Sequence, residues 1–240
     1  MNKPLVVITG ASSGIGAAIA KQMSDAGHPL LLLARRVENL IALNLPNTLC
    51  EQVDITDKSS FEKAVAKAEA VYGATDCLVN NAGVMLLGQL DTQDPAEWHT
   101  MFNVNVIGLL NGMHTVLAPM KARNTGTIIN ISSVAGRKSF PNHAAYCGTK
   151  FAVHSISENV REEVADANVR VITIAPGAVE TELLSHTTSQ EIKDGYGQWK
   201  DSMGGVLAAD DVANTVLFAY QQPQNVCIRE IVLTATRQQA

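Results

Sequence analysis
Paired cysteines, basic clusters and long apolar runs are all missing from this chain of 240 residues. Its four cysteines, Cys50, Cys77, Cys147 and Cys227, lie far apart with no C-x-x-C spacing. That excludes a dense disulfide framework and leads us to expect a reduced, cytoplasmic setting. Lys and Arg number 18 against 23 Asp and Glu, a formal charge of −5 with no basic run, so no nucleic-acid partner is expected. The longest apolar stretches, such as residues 30–34, are far too short to cross a bilayer, and no membrane association is expected. Leu5-Val-Val-Ile8 breaks at Gly10 and reads as a buried strand rather than a signal peptide. The six histidines show no metal-ligand spacing, so no metal is expected. His143 and His186 are candidates to line an active site, with a surface or capping role the stronger expectation.

Charged residues make up 17% of the chain and apolar residues 46%, which favours a large buried core over disorder. The length suits one domain of the larger α/β type, covering residues 1–240, and leaves no room for a second substantial one. Short apolar runs alternate with helical patterns, predicting strands over 5–9, 30–34, 48–53, 77–80, 126–132, 169–175 and 226–233. Helices are predicted over 15–26, 59–72, 95–121, 144–167 and 209–220, the third starting on an Asp94 cap with Pro95 behind it. The expected fold is α/β: a single-domain Rossmann arrangement, a doubly wound seven-stranded parallel sheet with helices on both faces. Residues 180–207 have no clear pattern and read as a substrate lid.

Gly10-x-x-x-Gly14-x-Gly16 follows the first strand and opens the first helix. Glycines there permit a tight turn, close approach of the backbone to a pyrophosphate and helix–strand packing, with the helix N–H groups facing the anion. Ile15 lies within this loop, and Ser12 and Ser13 can donate to phosphate or cap the helix. Arg35 and Arg36 end the second strand. A carboxylate there would bind a ribose 2′-hydroxyl; two guanidinium groups favour a 2′-phosphate, predicting NADP(H) over NAD(H). Asp54 and Ile55 are placed to border adenine, although a turn-forming Asp explains the first almost as well. Asn81, Ala82 and Gly83 follow the fourth strand, where amides fix turns and small residues let a cofactor lie close.

Tyr146 and Lys150 stand four residues apart and share a helix face. A cation beside the phenol favours the phenolate, making Tyr146 an acid or base for proton transfer. With the Gly-rich opening, this pair points to a nicotinamide-dependent oxidoreductase acting on a small molecule. Taken together, these motifs resemble the short-chain dehydrogenase/reductase family over essentially the whole chain. The resemblance implies that Ser133 is the catalytic serine, with Ser132 the competing choice, and that Asn105 is the fourth catalytic residue, holding a water beside Lys150. It implies that Pro176, Gly177, Val179 and Thr181 hold the nicotinamide carboxamide, that NADP(H) exchanges hydride with a carbonyl or alcohol, and that the chain forms a homotetramer or homodimer. Val84-Met-Leu-Leu-Gly88, Leu183-Leu-Ser-His-Thr187 and Ile228-Arg-Glu-Ile231 resemble clavulanate-dehydrogenase-type members. The whole chain is also similar to members that enhance the blue fluorescence of bound NADPH, an alternative reading of its function. Apolar residues at 84–87, Phe140, Leu183, Leu184, Ile192, Tyr196, Trp199 and Met203 are expected around an apolar substrate. Arg137 and Lys138 could greet a substrate carboxylate, with solvated surface charge the stronger expectation.

Overall fold
Strand β2 (Leu30–Ala34) shows how the sequence builds the core. Leu30 and Leu32 pack into one apolar cluster, and Leu31 and Leu33 into another on the opposite face. Successive strand side chains point to opposite faces, so an unbroken apolar run belongs to a strand covered on both sides. The computed structural model describes residues 3–239. The other strands are β1 (Leu5–Thr9), β3 (Thr48–Gln52), β4 (Thr75–Asn80), β5 (Gly126–Ile131), β6 (Val169–Pro176) and β7 (Glu230–Leu233). They form one parallel sheet of seven strands in the order β3-β2-β1-β4-β5-β6-β7.

Helices α1 (Gly14–Asp25), α2 (Val37–Ala42) and α8 (Ala209–Tyr220) supply apolar side chains to one face. On the other face lie α3 (Lys58–Tyr72), α5 (Leu109–Arg123) and α6 (Ala144–Glu163). Phe61 of α3 is fully buried there, a site where truncation to Ala costs roughly 3–5 kcal/mol. Helix α4 (Pro95–Phe102) runs into α5 through a π-helical stretch, Asn103–Gly108, which the sequence pattern did not reveal. The continuous helix Pro95–Arg123 is long and apolar enough to cross a membrane by length and composition alone. Here Leu109, Met113, Val116 and Met120 are buried within the cluster beneath the sheet, as in a core helix.

The 180–207 segment carries more order than its sequence suggested: a 3₁₀ turn over Glu182–His186 and helix α7 (Gln190–Ser202). Ser189 caps α7, accepting a hydrogen bond from the Ile192 N–H at 3.4 Å. Both ends of the segment are tied together. Val179 bridges Leu207, Leu207 N donates to Ala178 O at 3.0 Å, and Glu180 N donates to Leu207 O at 2.9 Å. All four cysteines are free.

Candidate functional site
Between β1 and β4 the strand order reverses, and the crevice beyond the carboxyl ends of such strands is where open α/β sheets take ligands. A cavity of 1630 Å³ opens there. Of the catalytic and cofactor residues expected from the sequence, all but Gly16 and Asn105 line it. Gly16 instead packs behind the loop, where a Cβ would overlap the Gly10 carbonyl and the Asn81 amide.

The loop after β1 fits a dinucleotide. Gly10 and Gly14 have φ of +64° and +51°, which other residues adopt only with strain, and a Cβ on Gly10 would sit 2.7 Å from Ala82 Cα. No side chain caps α1, so its first-turn N–H groups open onto the cavity beside Ser12 and Ser13. Asn81 laces β1 to β4: its Nδ2 donates to Thr9 O at 3.0 Å and Gly10 O at 3.1 Å. Its backbone N–H donates to Thr9 Oγ1 at 3.0 Å. Arg36 Nη2 donates to Ser13 Oγ at 3.1 Å and Ser12 Oγ at 3.4 Å, and pairs with Glu182 at 3.2 Å. Asp54 forms a turn, accepting from Thr56 N at 2.9 Å and Oγ1 at 2.8 Å, while still lining the cavity.

Helix α6 presents Tyr146 and Lys150 from one face, anchored by a buried chain of amides. Asn80 Nδ2 donates to Asn130 Oδ1 at 2.9 Å, and Asn130 Nδ2 donates to Ser157 Oγ at 2.8 Å. Such a chain fixes helix against sheet because every buried polar group in it finds a partner. Lys150 Nζ donates to Ile131 O at 3.1 Å and lies 5.8 Å from the Tyr146 ring centroid. Burial lowers the Lys150 pKa to about 8. Burial also pushes the Tyr146 phenol up, opposed by a hydrogen bond with Ser133. Ser133 accepts from Ala135 N at 3.1 Å as the cap of a short turn, whereas Ser132 Oγ donates to Lys150 O at 3.3 Å.

Asn105 lies in the π-helical stretch and is buried. Its Oδ1 accepts from Val84 N at 2.8 Å, and its Nδ2 donates to Val84 O at 2.9 Å and Thr149 Oγ1 at 3.1 Å. Both side-chain protons are used, which leaves the amide only acceptor capacity on Oδ1. Gly83 keeps space open nearby: a Cβ there would lie 3.3 Å from Asn105 Oδ1 and 3.9 Å from Lys150 Nζ.

The short chain dehydrogenase family model matches residues 4–192. The chain belongs to this family. An uncharacterised oxidoreductase of Listeria monocytogenes is 37% identical over 242 residues, covering 98% of this chain and 97% of its relative. A serine dehydrogenase, solved in its closed form with NADP+, superposes with a TM-score of 0.91 at 30% identity, covering 98% and 96% of the two chains. An alcohol dehydrogenase of the archaeon Thermococcus sibiricus, complexed with 5-hydroxy-NADP, gives 0.86 at 26% identity over 99% of each chain. These likenesses make the chain an oxidoreductase with a nicotinamide-dinucleotide fold. They do not extend to the closer resemblance to clavulanate-dehydrogenase-type or blue-fluorescent members.

Within this short-chain dehydrogenase several side chains depart from expectation. His143 and His186 both line the cavity, and each also keeps the expected role: His143 stands at the N-cap of α6 and His186 is exposed. His143 Nδ1 lies 2.6 Å from Pro141 O, burial lowers its pKa, and its ring sits 6.2 Å from that of Tyr146. Aromatic contacts continue from His143 to Tyr196 at 6.5 Å and from Tyr196 to Trp199 at 5.1 Å, joining α7 to the phenol. Met203 is buried outside the cavity lining. Arg137 does not face the cavity either, because it pairs with Glu230; Lys138 lies over the Phe140 ring at 5.4 Å. Gln238 also lines the cavity, and no motif in the sequence marks it. Among the described residues no group of three or more His, Cys, Asp or Glu could hold a metal ion.

Proposed function
We propose that the chain is an NADP(H)-dependent oxidoreductase that interconverts a carbonyl and an alcohol, with Tyr146 as the acid/base. The observation that carries this reading is a single cavity lined by Ser133, Tyr146 and Lys150 and also by the phosphate-type loop and the Arg35–Arg36 pair. A dinucleotide bound there would supply or accept the hydride. Gly10–Ile15, Asp54, Ile55 and Asn81–Gly83 hold its adenosine and diphosphate portions, and Pro176, Gly177, Val179 and Thr181 its nicotinamide end. Arg35 and Arg36 select the 2′-phosphate, because two guanidinium groups favour it over a free hydroxyl. In the reductive direction Tyr146 gives its proton to the substrate oxygen, and Ser133 donates a hydrogen bond that holds that oxygen in place. The Lys150 ammonium favours the phenolate that remains, and Asn105 braces this corner through Val84. The 180–207 segment, tied at its base, acts as a lid whose Tyr196 and Trp199 exclude water.

The apolar and aromatic lining favours a substrate with an apolar body. A homotetrameric assembly fits the exposed Phe102, Ile107 and Phe151 on the long helices and Val232 on β7. Cytoplasmic location is part of this proposal. The test is Tyr146→Phe: turnover across a panel of aldehydes and ketones is expected to fall roughly 10²–10⁴-fold. NADPH binding, followed by fluorescence, should persist and exceed NADH binding. Retained turnover would remove Tyr146 from the chemistry, and equal binding of NADH would remove the Arg35–Arg36 assignment.

A further inference from the structure
After β7 the chain turns back, with Gln238 N donating to Ala235 O at 2.9 Å, and inserts Gln238 beneath the end of β6. Gln238 is only 7% exposed and lies against Gly177: a Cβ on that glycine would come within 2.8 Å of Gln238 Nε2 and would overlap Oε1. The glycine at 177 is thus the space the amide occupies. Gln238 Oε1 accepts from the Ala178 N–H at 2.9 Å. A backbone donor can face only the oxygen end of the amide, so this bond fixes which end is which. The nitrogen end is left with two protons and, among the described residues, no partner. Buried amide donors are nearly always satisfied, and this one belongs to a residue lining the cavity at the segment assigned to the nicotinamide end.

We propose that Gln238 is a ligand-binding residue whose Nε2 donates a hydrogen bond to a carbonyl or carboxylate oxygen brought into the cavity. Two sources present that chemistry: the carboxamide oxygen of the nicotinamide and a second oxygen on the substrate, beyond the one being reduced. The inference rests on the function proposed above. The neighbouring Arg237 reaches the chain just beyond α7, where a Cβ on Gly204 would lie 3.0 Å from its Nη1. The residues from Arg237 to Gln238 therefore join the end of β6 to the base of the lid.

The experiment measures NADPH affinity by fluorescence titration, KM for a carbonyl substrate and thermal stability without ligand, for wild type, Gln238→Met and Gln238→Glu at pH 8. Met removes both ends of the amide; ionised Glu keeps an acceptor for Ala178 N–H but has no proton to donate. If the oxygen belongs to the nicotinamide, both variants bind NADPH roughly 5- to 10-fold more weakly. If it belongs to the substrate, NADPH affinity holds and KM rises by a similar factor in both. Weakening in the Met variant alone would make the amide a mere peg for Ala178 and overturn the proposal, as would no change in either variant. Should the variants fold poorly, the wild-type side-chain amide resonances of Gln238 provide the same decision. They shift on saturation with NADPH or substrate if the proposal holds, and stay unmoved by both if it does not. Failure of wild type to bind NADPH and turn over any carbonyl would instead overturn the function proposed above.

Discussion

At the scale of single residues, the site is governed by burial. Lys150 has a folded pKa of about 8 against an ordinary value of 10.5. Between those values the unfolded chain holds more protons, so this residue's contribution to stability rises with pH. Below pH 8 the folded protein carries a buried cation, which costs stability. Wild type should therefore gain on Lys150→Met by about 2–3 kcal/mol between about pH 7.5 and pH 10, measured by denaturant unfolding without ligand. A gap that stays constant with pH would mean that Lys150 is not titrating there. That Tyr146 and Lys150 share a helix face was legible in the sequence because their spacing is local, whereas Ser133 was reached only through the family resemblance. What burial does to them was not, since it depends on strands and helices far away in the chain. Gln238 was illegible for the same reason: its meaning comes from Gly177 and Ala178, some sixty positions earlier.

At the scale of elements, strands with unbroken apolar runs were the most legible part of the fold. Helix α7 was missed although Ile192, Tyr196 and Trp199 recur at helical spacing, because Gly195 and Gly197 interrupt the polar face and weaken the pattern. The π-helical stretch Asn103–Gly108 was missed because no local pattern marks it; the contacts its Asn105 makes there, with Val84 and Thr149, are with residues distant in the chain. A Cβ on Gly197 would meet nothing within 4 Å. Gly197→Ala should accordingly stabilise α7 by about 0.5–1 kcal/mol. Backbone amides in α7 are expected to exchange roughly 2- to 5-fold more slowly with deuterium, with the global melting temperature little changed. Unaltered exchange would show that the helix does not open on its own.

At the scale of the whole molecule, the described residues leave several large apolar side chains in solvent on the outer helices: Phe102, Ile107, Leu110 and Phe151. Phe102 comes close to α6, where a Cβ on Gly148 would lie 3.5 Å from its ring, so α4 and α6 share this surface. Exposed apolar patches rimmed by polar residues mark association surfaces. If the proposed assembly uses this surface, the paired change Ile107→Glu with Phe151→Glu should lower the mass read in sedimentation, while the chain stays folded by circular dichroism. An unchanged mass would remove this surface from the proposed assembly.

The ion pair between Arg36 and Glu182 has a consequence for traffic through the cleft. Arg36 meets Ser12, Ser13 and Glu182 through Nη2, so an anion that takes that nitrogen competes with Glu182 for it and loosens the 3₁₀ turn at Glu182–His186 from the phosphate-type loop. The exchange is reciprocal: whatever draws Glu182 aside makes Arg36 more receptive by the same factor. Both side chains are largely exposed, so the barrier to exchange is small and falls further as salt rises. A departing anion leaves behind a carboxylate already at hand to take its place, and the doorway resets itself.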